Sequence, residues 1–326
     1  MTSHRYCQAL AAVALTAALT CSPLQAQSFP EGKTVTLVVG FAAGGGTDTA
    51  ARIIAKKLSE NLGQSVVVDN KPGAGGNIAH AYVAKAAPDG TTLLLGSIGP
   101  LTIAPHLMSL SYDPQKDLAP LTMGVSFPNI LVVHPEVKAR TLAEFIDLAR
   151  AKPGALEYAS SGVGSASHMA GELLNQRADI ETVHVPYKGG SQALLDVVSG
   201  RVAGYYATPS SAVPHIQAGK VIPVVATGLE RSAVLPDVPT IAESGFPGFE
   251  ASNWYAFVAP GKTPEPILER WNRELVGVLT DPQVNEELVK HGLTPMPGTR
   301  QALKDYIAAE SVTWAKVIKD RGIRLE

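Results

Sequence analysis

Residues 35–39, VTLVV, form a nearly unbroken apolar run, followed by the turn GFAAGGGTD and then by Ala51, Ile54, Leu58 and Leu62 at helical spacing, closed by Gly63. The run predicts a strand buried on both faces, and the spacing predicts a helix after a tight turn. The alternation continues. Residues 65–69 read as a strand, 70–77 as a Pro/Gly loop, Ile78, Tyr82, Val83 and Ala86 as a helix face stopped by Pro88-Asp89-Gly90, and 91–96 as another strand. After a strand at 121–125 the rhythm restarts. Thr141-Leu142-Ala143-Glu144 is a capping box opening a helix that ends at Pro153-Gly154. Strand 156–160, the loop SSGVGSAS, a helix carrying Met169, Leu173 and Leu174, strand 182–186, helix 192–199 and strands 202–206 and 221–227 follow. Beyond strand 254–259 the tail reads as helices over 266–279, 283–291 and 300–319. Helices alone could not form a third domain of this size, so they are expected to return and cover the first sheet. Two α/β lobes result, 27–125 with 252–326 and 126–251, joined by crossings near Val125 and Ser252, with a ligand cleft between them.

The start of the chain departs from this pattern. His4 and Arg5 give a basic beginning, residues 9–19 an apolar core and Leu24-Gln25-Ala26 a small-residue cleavage site, so residues 1–26 read as a secretory signal peptide cut after Ala26. A lipoprotein reading through Cys21 fits poorly because Thr20 precedes it. Both cysteines, Cys7 and Cys21, fall in this leader, so the mature chain uses no disulfides. No later apolar run approaches the roughly 20 residues of a membrane span. With 27 Lys+Arg against 29 Asp+Glu, nothing points to a nucleic-acid surface.

A strand, a glycine turn and a helix start make an anion cradle, because N–H groups at the helix start carry positive partial charge and glycines let the main chain approach a ligand. Residues 40–47 fit the Walker pattern except that Gly46 stands where a lysine neutralises phosphates. A dinucleotide fingerprint fails at Thr49, which occupies the third glycine's place, although Asp69 mimics the ribose-binding acid. A smaller anion such as a carboxylate remains. So does a plain reading in which Gly44 to Gly46 turn the chain and Asp48 caps the helix beside Arg52. The second loop, Ser160 to Ser167, repeats the arrangement with hydroxyl donors, and favours a site between two facing helix starts. His168 reads from the residues alone as a hydrogen-bonded structural histidine. Gly189-Gly190-Ser191-Gln192-Ala193 narrowly misses the nucleophile-elbow pattern, so a secreted serine hydrolase using Ser165 or Ser191 is the competing function. The histidines show no metal-binding spacing, and no metal or cofactor is expected. Tyr205, Tyr206, Trp254 and Tyr255 read equally well as pocket wall or as core.

The run from VTLVVGFAAGGGTD to NKPGAGGNIA, with AAPDGTTLLLGS, YDPQKDLAPLT, ASSGVGSASHMAGELL, HVPYKGGSQALLDVVSGRV and LPDVPTIAESGFPGFEASNWYAFVAPGKTP, resembles the Bug extracytoplasmic solute receptors of tripartite tricarboxylate transporters. The resemblance spans nearly the whole mature chain. It implies a type II periplasmic-binding-protein-like fold closing on a small mono-, di- or tricarboxylate, a periplasmic location and no enzymatic activity. The implied partners are the membrane subunits of such a transporter, with a sensor protein left open. The family's carboxylate-holding loops map here onto Phe41, Gly45, Gly46, Thr47 and Asp48, and onto Ser161, Gly164, Ser165 and His168, with Ser97 at the pocket edge. Where many members carry an Asp-containing segment after Gly204, this chain has Tyr205-Tyr206-Ala207-Thr208, which puts Tyr206 at the ligand's far end.

Overall fold

The computed structural model describes residues 29–323. The leader expected at residues 1–26, with Cys7 and Cys21, lies outside them. The chain opens with β1 (Val35–Val39), α1 (Gly46–Leu62), β2 (Val66–Asn70), α2 (Asn77–Ala84) and β3 (Thr92–Ser97), then a π-helical turn over Gly99–Ile103. The long strand β4 (Leu118–Pro128) carries the chain out of the first sheet, and β5 (Ile130–Val133) begins the second after the single residue Asn129. There follow α3 (Leu142–Ala151), β6 (Glu157–Ser160), α4 (Ala166–Ala178), β7 (Val183–Pro186), α5 (Gly190–Val198), β8 (Gly204–Ala207), α6 (Pro209–Gln217) and β9 (Ile222–Ala226). The chain returns to the first sheet through β10 (Ser252–Pro260) and ends with α7 (Glu265–Thr280), α8 (Pro282–Lys290), the short β11 (Thr294–Pro295) and α9 (Arg300–Arg321).

The first sheet has the order β11-β4-β10-β3-β1-β2, with β1 parallel to β2 and β3, and β10 antiparallel to β3 and β4. The second has the order β7-β6-β8-β5-β9, with β6 parallel to its neighbours and β5 antiparallel to its own. Strand periodicity explains why the runs are apolar throughout. Leu37 and Val39 face a core with Ile54 and Leu58 of α1 and Trp271 and Leu275 of α7, whereas Val38 faces a second core under α2 and α9. In the other lobe Leu131 and Val133 join one core, and Ile130 and Val132 the other. The Thr141–Glu144 capping box forms as the sequence predicts.

The two lobes share apolar contacts as well as crossing strands. Ala166 and Met169, at the start of α4 in the second lobe, belong to the first lobe's core with Leu303, Ile307 and Trp314 of α9. Between the crossings Asn129 N–H donates to Thr227 Oγ1 at 3.0 Å, Thr227 N–H donates to Asn129 O at 2.9 Å, and Thr227 Oγ1 donates to Ala251 O at 2.9 Å. These bonds tie the outgoing and returning segments together where the chain changes sheet.

Candidate functional site

Four helices of the two lobes begin at one cavity. Gly45, Gly46 and Thr47 bring the start of α1, Ser165, Ala166 and Ser167 that of α4, Gly190 that of α5 and Thr208 that of α6. Gly45, Gly189 and Thr208 cap α1, α5 and α6 without any side-chain hydrogen bond to the helix. At α4 the cap is Ser165, whose Oγ accepts from His168 N–H at 3.3 Å. An uncapped helix start leaves first-turn N–H groups and the positive end of the helix dipole for a ligand, and an anion satisfies both. Phe41, Ser97, Ile98, Ser161, Tyr205, Tyr206, Tyr255, Asn129 and Asn253 complete the wall. No lysine, arginine, histidine, aspartate or glutamate is among them. The cavity is narrow, about 30 Å³.

Burial raises the tyrosine hydroxyls well above their usual ionisation range, at Tyr206 with help from the Glu172 carboxylate and at Tyr205 from Tyr255. Tyr255 is raised likewise, against a smaller opposing hydrogen bond with Thr47. All three are neutral donors.

Eight of the eleven residues expected in the site line this cavity: Phe41, Gly45, Gly46, Thr47, Ser97, Ser161, Ser165 and Tyr206. Asp48, Gly164 and His168 do not. The Asp48 carboxylate faces back into its own loop, where Oδ2 accepts from Gly44 N–H at 3.0 Å and from Arg52 Nε at 2.9 Å, and Oδ1 accepts from Asn70 Nδ2 at 3.0 Å. Burial alone would raise its pKa, but these donors outweigh that and hold it below the usual carboxylate value. It fixes the first loop and is committed to it.

His168 does the same for the second loop. Its Nδ1 accepts from Gly164 N–H at 3.2 Å, its ring stacks on His184 at 4.0 Å, and His184 Nε2 bonds Ser160 Oγ at 2.6 Å. Ser160 Oγ in turn accepts from Gly162 N–H at 3.0 Å. Burial pushes His168 down to about 3, with His184 adding to the effect, and pushes His184 down to about 4, so both rings are neutral. Ser165 Oγ is bonded to Ser167 Oγ at 3.0 Å, and among the described residues no histidine ring is hydrogen-bonded to Ser165 or Ser191.

Gly164 lies at the seam between the lobes, where backbone meets backbone. A Cβ on Gly99 would stand 2.6 Å from Gly164 O, and one on Gly189 would stand 2.8 Å from Ala42 N. Gly75, at φ 62°, faces Val163 O across the same seam. The glycines of NKPGAGGN therefore serve close approach as well as turning.

The model of the tripartite tricarboxylate transporter family receptor matches residues 50–323. The chain belongs to this family. BugT of Bordetella pertussis is 36% identical to it over 307 residues, which are 94% of each chain. Among solved structures, Rpa4515 of R. palustris with adipate is 37% identical, with a TM-score of 0.86 over 89% of this chain and 98% of that one. MatC of Rhodopseudomonas palustris with bound malate is 35% identical, with a TM-score of 0.83 over 87% of this chain and 98% of that one. The fold is thus that of a two-lobed periplasmic binding protein, and the receptor's function is solute binding.

Sequence reasoning missed Asn129, Gly190, Thr208 and Asn253, and left Tyr205 and Tyr255 undecided. Gly190 and Thr208 follow the strand-to-helix pattern of the two recognised loops and could have been found by it. Asn129 and Asn253 carry no local signal, because each is placed by the crossing of two strands.

Proposed function

We propose that this receptor captures a small organic carboxylate in the cavity between its lobes and delivers it to the membrane subunits of a tripartite tricarboxylate-type transporter. The observation that carries the reading is the meeting of four helix starts on a wall without a charged side chain. Such a site attracts an anion through fixed dipoles, and hydrogen bonds to a charged acceptor contribute about 1.5–3 kcal/mol each. Three or four of them reach the roughly −8 kcal/mol of a micromolar complex without an arginine. The adipate and malate held by the two relatives belong to the same chemical class.

In this reading the lobes are residues 27–125 with 252–326 and residues 126–251, hinged at the crossings. The ligand residues are Phe41, Gly45, Gly46, Thr47, Ser97, Ser161, Ser165 and Tyr206, with Asp48, Gly164 and His168 shaping the loops that present them. The protein works in the periplasm after losing residues 1–26, and it catalyses no reaction. A thermal-shift screen against a carboxylate library tests the reading, since a ligand at 100 times its Kd adds roughly 2.7 kcal/mol. Stabilisation by acids but by none of their methyl esters or amines is expected. A screen with no responding acid would contradict it, and labelling by a fluorophosphonate would revive the hydrolase.

A further inference from the structure

Asn129 and Asn253 meet at the floor of the cavity, each at the point where the chain passes between the lobes. Asn129 is fully buried and Asn253 is 8% exposed. Asn253 Nδ2 donates to Asn129 Oδ1 over a long 3.4 Å, leaving Asn129 Nδ2 and Asn253 Oδ1 buried with no hydrogen-bond partner among the described residues. Both residues line the cavity. Turning both amides over reverses the bond between them but again leaves one donor and one acceptor, so the pair's demand does not depend on how the amide atoms are assigned. Buried polar groups of this kind cost stability unless something satisfies them.

From this pair we infer that the receptor selects carboxylates whose second polar group is a hydroxyl or a carboxamide rather than another carboxylate. The inference rests on the carboxylate reading above and names the substrate class within it. A carboxylate accepts only, and would set its charge against the free amide oxygen. An ammonium donates only, and would oppose the free amide N–H. A hydroxyl or a carboxamide does both at once, and so satisfies the two asparagines together. Ser97 Oγ, also buried and unpartnered at this wall, can donate or accept and suits either class. The strand crossing fixes the pair in place: Asn129 is held through both its N–H and its C=O by Thr227, and Asn253 lies in register with Phe127 on the paired strand. A site built to bond a hydroxyl discriminates strongly against the analogue without it.

Calorimetry on the mature protein with matched short-chain series tests this: succinate and succinamate; glutarate and glutaramate; propionate, lactate and 3-hydroxypropionate. In the series that binds, the hydroxylated or carboxamide member should bind about tenfold or more tighter than its parent acid. Asn129→Leu and Asn253→Ala should each collapse that ratio to about threefold or less. A parent acid binding as tightly as its substituted partners, or a ratio that survives both variants, would overturn the inference and leave the carboxylate reading standing. Binding of no acid in any series would remove both. If a variant loses its native circular dichroism, the wild-type ratio decides.

Discussion

Adding a single methyl group at Gly99 should impair closure without harming the fold. Gly99 opens the π-helical turn beside β3, its φ is not positive, and a Cβ there would stand 2.6 Å from Gly164 O and 3.3 Å from Ser165 Cα of the opposite lobe. Both partners are backbone atoms of a loop held by His168 and Ser160, so neither can rotate aside. Overpacking of this kind costs about 1–3 kcal/mol. The cost falls only on the form in which the lobes touch, whereas alanine in a helical turn is worth up to about 1 kcal/mol relative to glycine in either form. Gly99→Ala should therefore weaken binding of the tightest carboxylate by about 5- to 150-fold while the ligand-free melting temperature stays the same or rises. Calorimetry gives the first quantity and calorimetric melting the second, with small-angle scattering reporting whether saturating ligand still compacts the variant. Wild-type affinity with normal compaction would refute the view that closure brings these two backbones together.

Thr47→Val keeps shape and removes a hydroxyl from the wall at the start of α1, so affinity should fall by about 1–3 kcal/mol in calorimetry while the native circular dichroism is kept; unchanged affinity would take that side chain out of the site. Asp48→Ala strips the acceptor from Gly44 N–H and Asn70, and should cost about 1–3 kcal/mol in urea denaturation; an unchanged midpoint would contradict its role in fixing the loop. Stability should also fall on acidification. His80, His168 and His184 are held neutral by burial, at about 4, 3 and 4, while the unfolded chain protonates them near 6.5. The unfolded state then binds more protons below that value, and stability drops by up to about 4 kcal/mol per pH unit between the unfolded and folded values. Equal urea midpoints at pH 7 and pH 5 would contradict this.

The strand–glycine–helix loops at 41–48 and 160–168 were legible because three signals coincide there: an apolar run, small residues and a helical period. The same coincidence is weaker at Thr208, where Pro209 and Pro214 hide helix α6 behind residues that usually break helices. Strand β5 is four fully buried residues, too short for periodicity to separate it from its surroundings. The family's loop pattern placed Asp48 and His168 in the site, yet both spend their hydrogen-bonding capacity on their own loops. Residue type and spacing cannot say which way a side chain turns. Asn129 and Asn253 lie far apart in sequence and meet only because β4 and β10 pair in antiparallel register, Asn253 opposite Phe127. Gly75 was read only as part of a Pro/Gly loop because the backbone it approaches, at Val163, comes from the other lobe.

A crystal structure of the mature protein with its tightest carboxylate bears most directly on the claim that helix starts, rather than cationic side chains, hold the anion. The carboxylate oxygens should accept from backbone N–H groups at the starts of α1 and α4, directly or through one water, with no lysine or arginine nitrogen in contact. A carboxylate paired with an arginine or lysine, or seated away from Gly45–Thr47 and Ser165–Ser167, would contradict the account.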